Sequence, residues 1–224
     1  MIISKSLMRW RYVILLVNCS GVSGVIYFNM RFNMYSYNAE YRRLFEGVID
    51  SAVTEFPRTL ALRIDLRYPP DYVYDRSNRE ITRFIESLKA RLCTDTDRKA
   101  QRWGRRLSHR LRYIWVREFG GVRHRKHYHL VLLLNKDIYH TAGRFNGEDS
   151  LAGMIQQAWC SALGLRTERY ACLVHFPEKG AMYLCYHSPD YTAQRALLVM
   201  RLDYLAKDHT KDYHDGYRSV GTSR

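Results

Sequence analysis

One stretch limits what this chain can fold into more than any other. Arg112 to Glu118 reads RYIWVRE, a strand-like run. Phe119-Gly120-Gly121-Val122-Arg123-His124-Arg125-Lys126 follows, and then His127-Tyr128-His129 runs without a break into LVLLLN. Two apolar β-type runs joined by a segment containing Gly-Gly predict an antiparallel hairpin. In a strand, residues i and i+2 share a face, so His127 and His129 stand side by side, ~6–7 Å apart at the backbone. A turn centred between Val122 and Arg123 sets Glu118 opposite His127, on that same face. Two imidazoles and a carboxylate would then converge where a divalent ion could sit. The register decides this, because a slip of one residue sends Glu118 to the other face. His124 extends the string to His-x-x-His-x-His, so a different histidine pair remains open.

Charge narrows the partners. The 224 residues carry a net charge of +14, with pI near 9.7. Eleven lysines and arginines lie between Arg98 and Lys126, against one acid, Glu118. Such clustering favours a polyanion. Trp103, Tyr113, Trp115 and Tyr128 are interleaved with strand signals rather than gathered on one helix face, which argues against a membrane-surface helix. Five scattered cysteines without a Cys-x-x-Cys pair argue against a disulfide framework and a zinc ribbon, and they suit a reducing cytoplasm.

Residues 1–33 form an N-terminal hydrophobic extension. Tyr12 to Phe28 reads YVILLVNCSGVSGVIYF after Lys5, Arg9 and Arg11. Asn18, Ser20, Gly21, Ser23 and Gly24 interrupt it, leaving it short of a clean span. Two readings stand: translation that starts at Met30 or Met34, or a weakly membrane-associated segment. Residues 34–224 are expected to form a single domain.

Within that domain, apolar spacing predicts a helix from Ala39 to Phe56, ended by Pro57. Leu60, Leu62, Ile64 and Leu66 alternate as a strand, broken by Pro69-Pro70. Ser77 or Asn78 starts a helix with the stripe Ile81, Phe84, Ile85, Leu88, Leu92, followed by a basic linker from Arg98 to Arg110. After the hairpin, Asp149 or Ser150 caps a helix closed by Gly164. Arg169 to Phe176 reads as a strand, Glu178 to His187 is ambiguous, and a last helix is expected from about Asp190 to Lys207, before a polar tail. The order strand–helix–strand–strand–helix–strand predicts an α+β fold: a ferredoxin-like split βαβ with an antiparallel sheet and helices on one side of it.

The last predicted helix carries Tyr204-Leu205-Ala206-Lys207. Residues i and i+3 share a helix face. A lysine there can favour the phenolate that a tyrosine nucleophile needs, since a free tyrosine is protonated at neutral pH. Tyr183 and Tyr186 compete for the role but lack the lysine. His140, His175, His187, His209 and His214 show no spacing logic.

Taken together, a His-x-His strand, a carboxylate on the neighbouring strand and a downstream Tyr-x-x-Lys resemble the HUH superfamily of single-strand endonucleases. RYIWVREF, HYHLVLLLN, the tryptophan of QQAWCSALG, YLAKDHTKDY and the terminal RSVGTSR are similar to one branch, the inovirus gene-two-product-like replication proteins and their prophage relatives of the YagK/YfjJ type. The resemblance covers about Phe56 to Arg224.

It implies a metal-dependent nickase that initiates rolling-circle replication through a 5′-phosphotyrosine. His127, His129 and Glu118 would hold Mg²⁺ or Mn²⁺. Tyr204 would attack the phosphate, assisted by Lys207. From charge and position, Arg102, Trp103, Arg105, Arg106, Arg123, Arg125 and Lys126 are candidate DNA contacts. The implied partner is single-stranded or supercoiled DNA of a phage or prophage origin, with a host helicase and polymerase and no stable membrane partner, in the bacterial cytoplasm. Two alternatives are a non-catalytic DNA-binding protein on the same fold and an RNA-binding ferredoxin-like module that works through sheet aromatics.

Overall fold

The structure is a computed structural model and describes residues 13–19, 22–28, 38–120, 125–145, 147–206 and 215–224. The chain divides into two units, Met1–Ser36 and Tyr37–Arg224. In the first, β1 (Val13–Cys19) and β2 (Val22–Phe28) pair as an antiparallel hairpin, Cys19 opposite Val22. No helix among the described residues is long and apolar enough to cross a membrane.

The second unit is α+β. The first helix, α1 (Ala39–Glu55), starts where Asn38 Oδ1 accepts from the backbone N–H groups of Glu40 and Tyr41, relieving two of the unpaired donors of a helix start. It gives way to β3 (Arg58–Leu66) at Pro57, as its apolar spacing predicts. Next come α2 (Arg79–Trp103), β4 (Arg112–Phe119), β5 (Lys126–Asn135) and α3 (Leu151–Leu163). Ser150 Oγ accepts from Gly153 N–H at 2.9 Å to cap α3, and Gly164 ends it at φ 71°.

The sheet is antiparallel throughout. Its order is β6 (Val174–His175), β3, β5, β4, β8 (Val220–Thr222), with β7 (Ala181–Cys185) also pairing with β3. Thus β5 lies between β3 and β4, the two strands that α2 connects.

Each face of this sheet has its own core. Leu60, Leu62, Ile64 and Leu66 of β3 meet Tyr128, Leu130, Leu132 and Leu134 of β5 under α2 and α3. Ala61, Ile114, Val116, Val131 and Leu133 form the opposite face, under α1 and α5 (Tyr191–Asp203). Helices therefore cover both faces, not one as expected. The cause lies in the sequence of β5, where LVLLL is apolar at every position and has to be covered on both sides.

Three other expectations change. The span from Arg169 to Phe176 is mostly not a strand: α4 (Thr167–Tyr170) and a 3-10 turn, Ala171–Leu173, precede the two residues of β6. Val174 is the one buried residue from Arg169 to Phe176, too little to fix a half-buried strand. The terminal segment is more than a polar tail, because β8 pairs with β4. A Cβ on Gly221 would lie 2.3 Å from the Trp115 ring, so β8 can cross that ring only as glycine. Finally, α5 stops at Asp203, and Tyr204 opens a 3-10 turn, Tyr204–Ala206.

Candidate metal centre

The site forms where the ends of three strands meet. Glu118 of β4 pairs with His127 of β5, as the hairpin predicts. His129 pairs with Val116 on one side and with Asp65 of β3 on the other. The face is that of Ala61, Val116 and Val131, beneath α1 and α5. Glu118, His127 and His129 each offer one ligand atom, and these atoms lie within 4.8 Å of one another.

Hydrogen bonds orient both rings. His127 Nδ1 lies 3.1 Å from the Arg125 carbonyl, and His129 Nδ1 lies 2.6 Å from Asp65 Oδ1. With both Nδ1 atoms so engaged as donors, each ring in its neutral form carries its lone pair on Nε2. Both Nε2 atoms face Glu118 Oε2, at 3.9 Å from His127 and 3.5 Å from His129. The rings are nearly perpendicular, with centroids 4.9 Å apart. A carboxylate that holds the back of a ligating imidazole is the usual second layer of a metal site.

Sequence reading missed Asp65. It is 7% exposed and also lies 3.3 Å from His175 Nδ1 through its second oxygen. Burial alone would raise its pKa, but the hydrogen bond and charge of His129, with Arg63 and His175, hold it down at about 2. Burial opposes charge on His129 as well, yet the Asp65 and Glu118 carboxylates outweigh it and raise its pKa. His127, without such a partner on Nδ1, is pushed down by burial.

Two imidazole nitrogens and one carboxylate oxygen on a common face fit a first-row divalent ion with coordination positions left over. That donor set is softer than Mg²⁺ prefers and accommodates Mn²⁺ better.

The tyrosines separate by position. Tyr186 donates its backbone N–H to the Pro57 carbonyl, at the end of β3 away from Asp65. Tyr183 pairs with Leu60 and so belongs to the opposite sheet face. By contrast, α5 runs from the Tyr186 end toward the metal end, where Leu202 and Leu205 lie over Arg63 and Val131. Tyr204 sits between them in sequence and is 55% exposed. Tyr217, 48% exposed, lies at the same end of β4, but its carbonyl accepts from Arg117, whose strand parity turns it to the sheet face opposite Glu118. Lys207, Arg123 and His124 lie outside the described residues.

The candidate DNA contacts scatter. Arg102, Trp103, Arg105 and Arg106 are exposed, and the Arg105 guanidinium stacks over Trp103 at 5.2 Å. They lie at the far end of the sheet, where β4 starts; Arg112 is six residues from Glu118, ~20 Å along a strand. Arg125 is partly buried and donates to the Pro69 carbonyl. Lys126 is not a surface cation. It is 1% exposed, and its ammonium lies 3.1 Å from Glu80 Oε2 and donates to the Asp75 and Ser77 carbonyls. Its strand parity is that of Tyr128, so it faces the core under α2.

The profile of the YagK/YfjJ C-terminal domain family matches residues 27–223. Two proteins of Escherichia coli (strain K12) are similar to the chain. YagK is 36% identical over 193 residues, covering 83% of this chain and 92% of its own. YfjJ is 36% identical over 200 residues, covering 84% and 96%. No solved structure matches the chain significantly.

Proposed function

Starting from a chain that belongs to the YagK/YfjJ C-terminal domain family, we propose that it is a metal-dependent, tyrosine-using DNA nickase of the HUH kind, acting on a phage or prophage origin in the bacterial cytoplasm to prime rolling-circle synthesis. The observation that carries this reading is the convergence of Glu118, His127 and His129, with both histidines turned so that Nε2 faces the carboxylate. The strand order around β5 is that of a split βαβ, in keeping with a ferredoxin-like core of this kind. The charge of +14 supports a nucleic-acid substrate.

Glu118, His127 and His129 would hold Mn²⁺ or Mg²⁺, which when bound supplies Lewis acidity toward a phosphate oxygen. The chain's own residues do the rest. Asp65 and the Arg125 carbonyl fix the two rings, so little reorganisation is needed when the phosphate arrives. The Tyr204 hydroxyl loses its proton to a base and attacks phosphorus. An Oη–P bond forms, the P–O3′ bond breaks, and the leaving 3′ oxygen takes up a proton. The products are a 5′-phosphotyrosine and a free 3′-hydroxyl.

The exposed cluster Arg102, Trp103, Arg105, Arg106 favours a second reading, a DNA-binding protein without turnover. It offers cations and a stacking surface that do not depend on the metal end.

Covalent trapping separates the two. The full chain is incubated with labelled single-stranded or supercoiled DNA and Mn²⁺ and run on denaturing gels. A metal-dependent adduct that disappears in Tyr204→Phe is expected. An adduct that survives there would move the nucleophile to another tyrosine. Salt-sensitive binding with no adduct on a broad panel of sequences would establish the non-catalytic reading.

A further inference from the structure

One row along the sheet from the metal ligands, the same face opens into a cleft of about 290 Å³. Asp65 pairs with His129; the next pair on that face, Arg63 with Val131, lines the cleft. Ala61 continues the floor, and Leu202 and Leu205 of α5 and the turn after it form a wall. Arg63 reaches both ways. Its Nη2 lies 3.5 Å from Asp65 Oδ1, while its buried Nε has no hydrogen-bond partner. At the rim, Arg201 donates to the Lys179 carbonyl at 2.7 Å and ties α5 to the loop before β7. One acid, Glu178, faces three cations there: Arg63, Lys179 and Arg201.

An apolar slot with a guanidinium at one side and a cationic rim suits a ligand that is flat and apolar on its faces, polar at its edge and anionic beside it. A nucleotide has that chemistry, and enzymes that grip single strands hold a splayed base between apolar side chains. The volume lies at the lower limit of the ~300–1,000 Å³ usual for small-ligand sites, room for one unit and not two. We infer that this cleft is a nucleotide subsite: it takes the base of the residue next to the phosphate held at the metal centre, with the Arg63 guanidinium on the metal side of the slot and Lys179 and Arg201 at its rim. The inference rests on the nickase reading and adds where the strand runs, from the metal centre toward α5 and β7.

The test uses the full chain, Mn²⁺ and a fluorescent single-stranded oligonucleotide that wild type traps covalently, in versions with one abasic residue walked along it. Anisotropy gives affinity, and Mn²⁺ titration calorimetry on each variant reports the metal centre separately. In wild type, one abasic position is expected to cost about tenfold, in line with the loss of one stacked base. Met182→Trp, which fills the slot, should weaken the intact oligonucleotide by about as much and abolish the difference at that position, with Mn²⁺ affinity unchanged. Arg201→Glu, at the exposed rim, should weaken all versions alike. Equal binding of every abasic version by wild type, with Met182→Trp indistinguishable from it, would overturn the subsite and leave the nickase reading standing. Absence of any adduct or strand binding by wild type that still binds Mn²⁺ would overturn both.

Discussion

Asp65 Oδ1 lies 2.6 Å from His129 Nδ1, across the β3–β5 pairing. This contact holds the imidazole with Nε2 toward Glu118 and leaves its tautomer no alternative partner. A carboxylate from a third strand therefore orients the centre, although two strands supply all its ligands.

Asp65→Asn should keep the three ligands but lose the charge behind His129. Mn²⁺ affinity by calorimetry is expected to fall about 10- to 100-fold, the usual effect of removing such a partner. Glu118→Ala and His127→Ala should each cost more, because they remove donors outright.

Acid stability follows from the same group. The Asp65 carboxyl is held at about 2, below its ordinary 3.8. A depressed carboxyl contributes stability that is present above its unfolded value and lost as pH falls through the folded one. In urea unfolding, wild type should exceed Asp65→Asn by about 1–2 kcal/mol above pH 3.8, allowing for solvent screening, with the gap closing as pH drops toward 2. His129 moves the other way. Its raised pKa means that protons compete for Nε2 above its ordinary 6.5, so Mn²⁺ affinity should begin to fall at a higher pH than an ordinary histidine ligand would give.

The hairpin was legible in the sequence because its information is local. Strand parity and a short connection fix Glu118 opposite His127, and the register follows. Asp65 was hidden because its partner is 64 residues away, and pairing at that separation depends on the whole sheet. Parity does place it on the face of Arg63, because Leu62, Ile64 and Leu66 turn to the other core. Parity alone does not say which histidine it meets. Lys126 was misplaced for the opposite reason. It looked like part of a basic run, yet alternation with His127 turns it inward. The three residues of β8 give almost no periodic signal; pairing with β4, the burial of Val220 and the bare backbone of Gly221 against Trp115 explain their place.

Lys126 is a stability residue. Lys126→Ala leaves the Glu80 carboxylate, 7% exposed, without its cation. Loss of one partner of a buried pair costs about 3–5 kcal/mol, and that is the expected change in urea unfolding. Lys126→Met combined with Glu80→Gln should recover most of it. The salt dependence of DNA binding, measured on the folded fraction, should not change with Lys126.

Gly221→Ala forces a methyl into the Trp115 ring. Overpacking of this kind costs about 1–3 kcal/mol, and β8 is the element free to give way. Hydrogen exchange should show lost protection at Arg117 N–H, which donates to the Ser219 carbonyl, before the rest of β4 is affected.

The basic cluster at the far end can be separated from the chemistry. Each phosphate that a cation neutralises on a single strand adds about 0.7 to the slope of log affinity against log salt. If Arg102, Arg105 and Arg106 each neutralise one phosphate, their triple alanine variant should flatten that slope by about 2. Mn²⁺ affinity should be unchanged, because ~20 Å of sheet separates the start of β4 from Glu118. Adduct yield at saturating DNA should also match wild type, since the variant loses affinity and keeps the centre. A fall in saturated yield would instead mean that the strand bridges both ends of the sheet during cleavage.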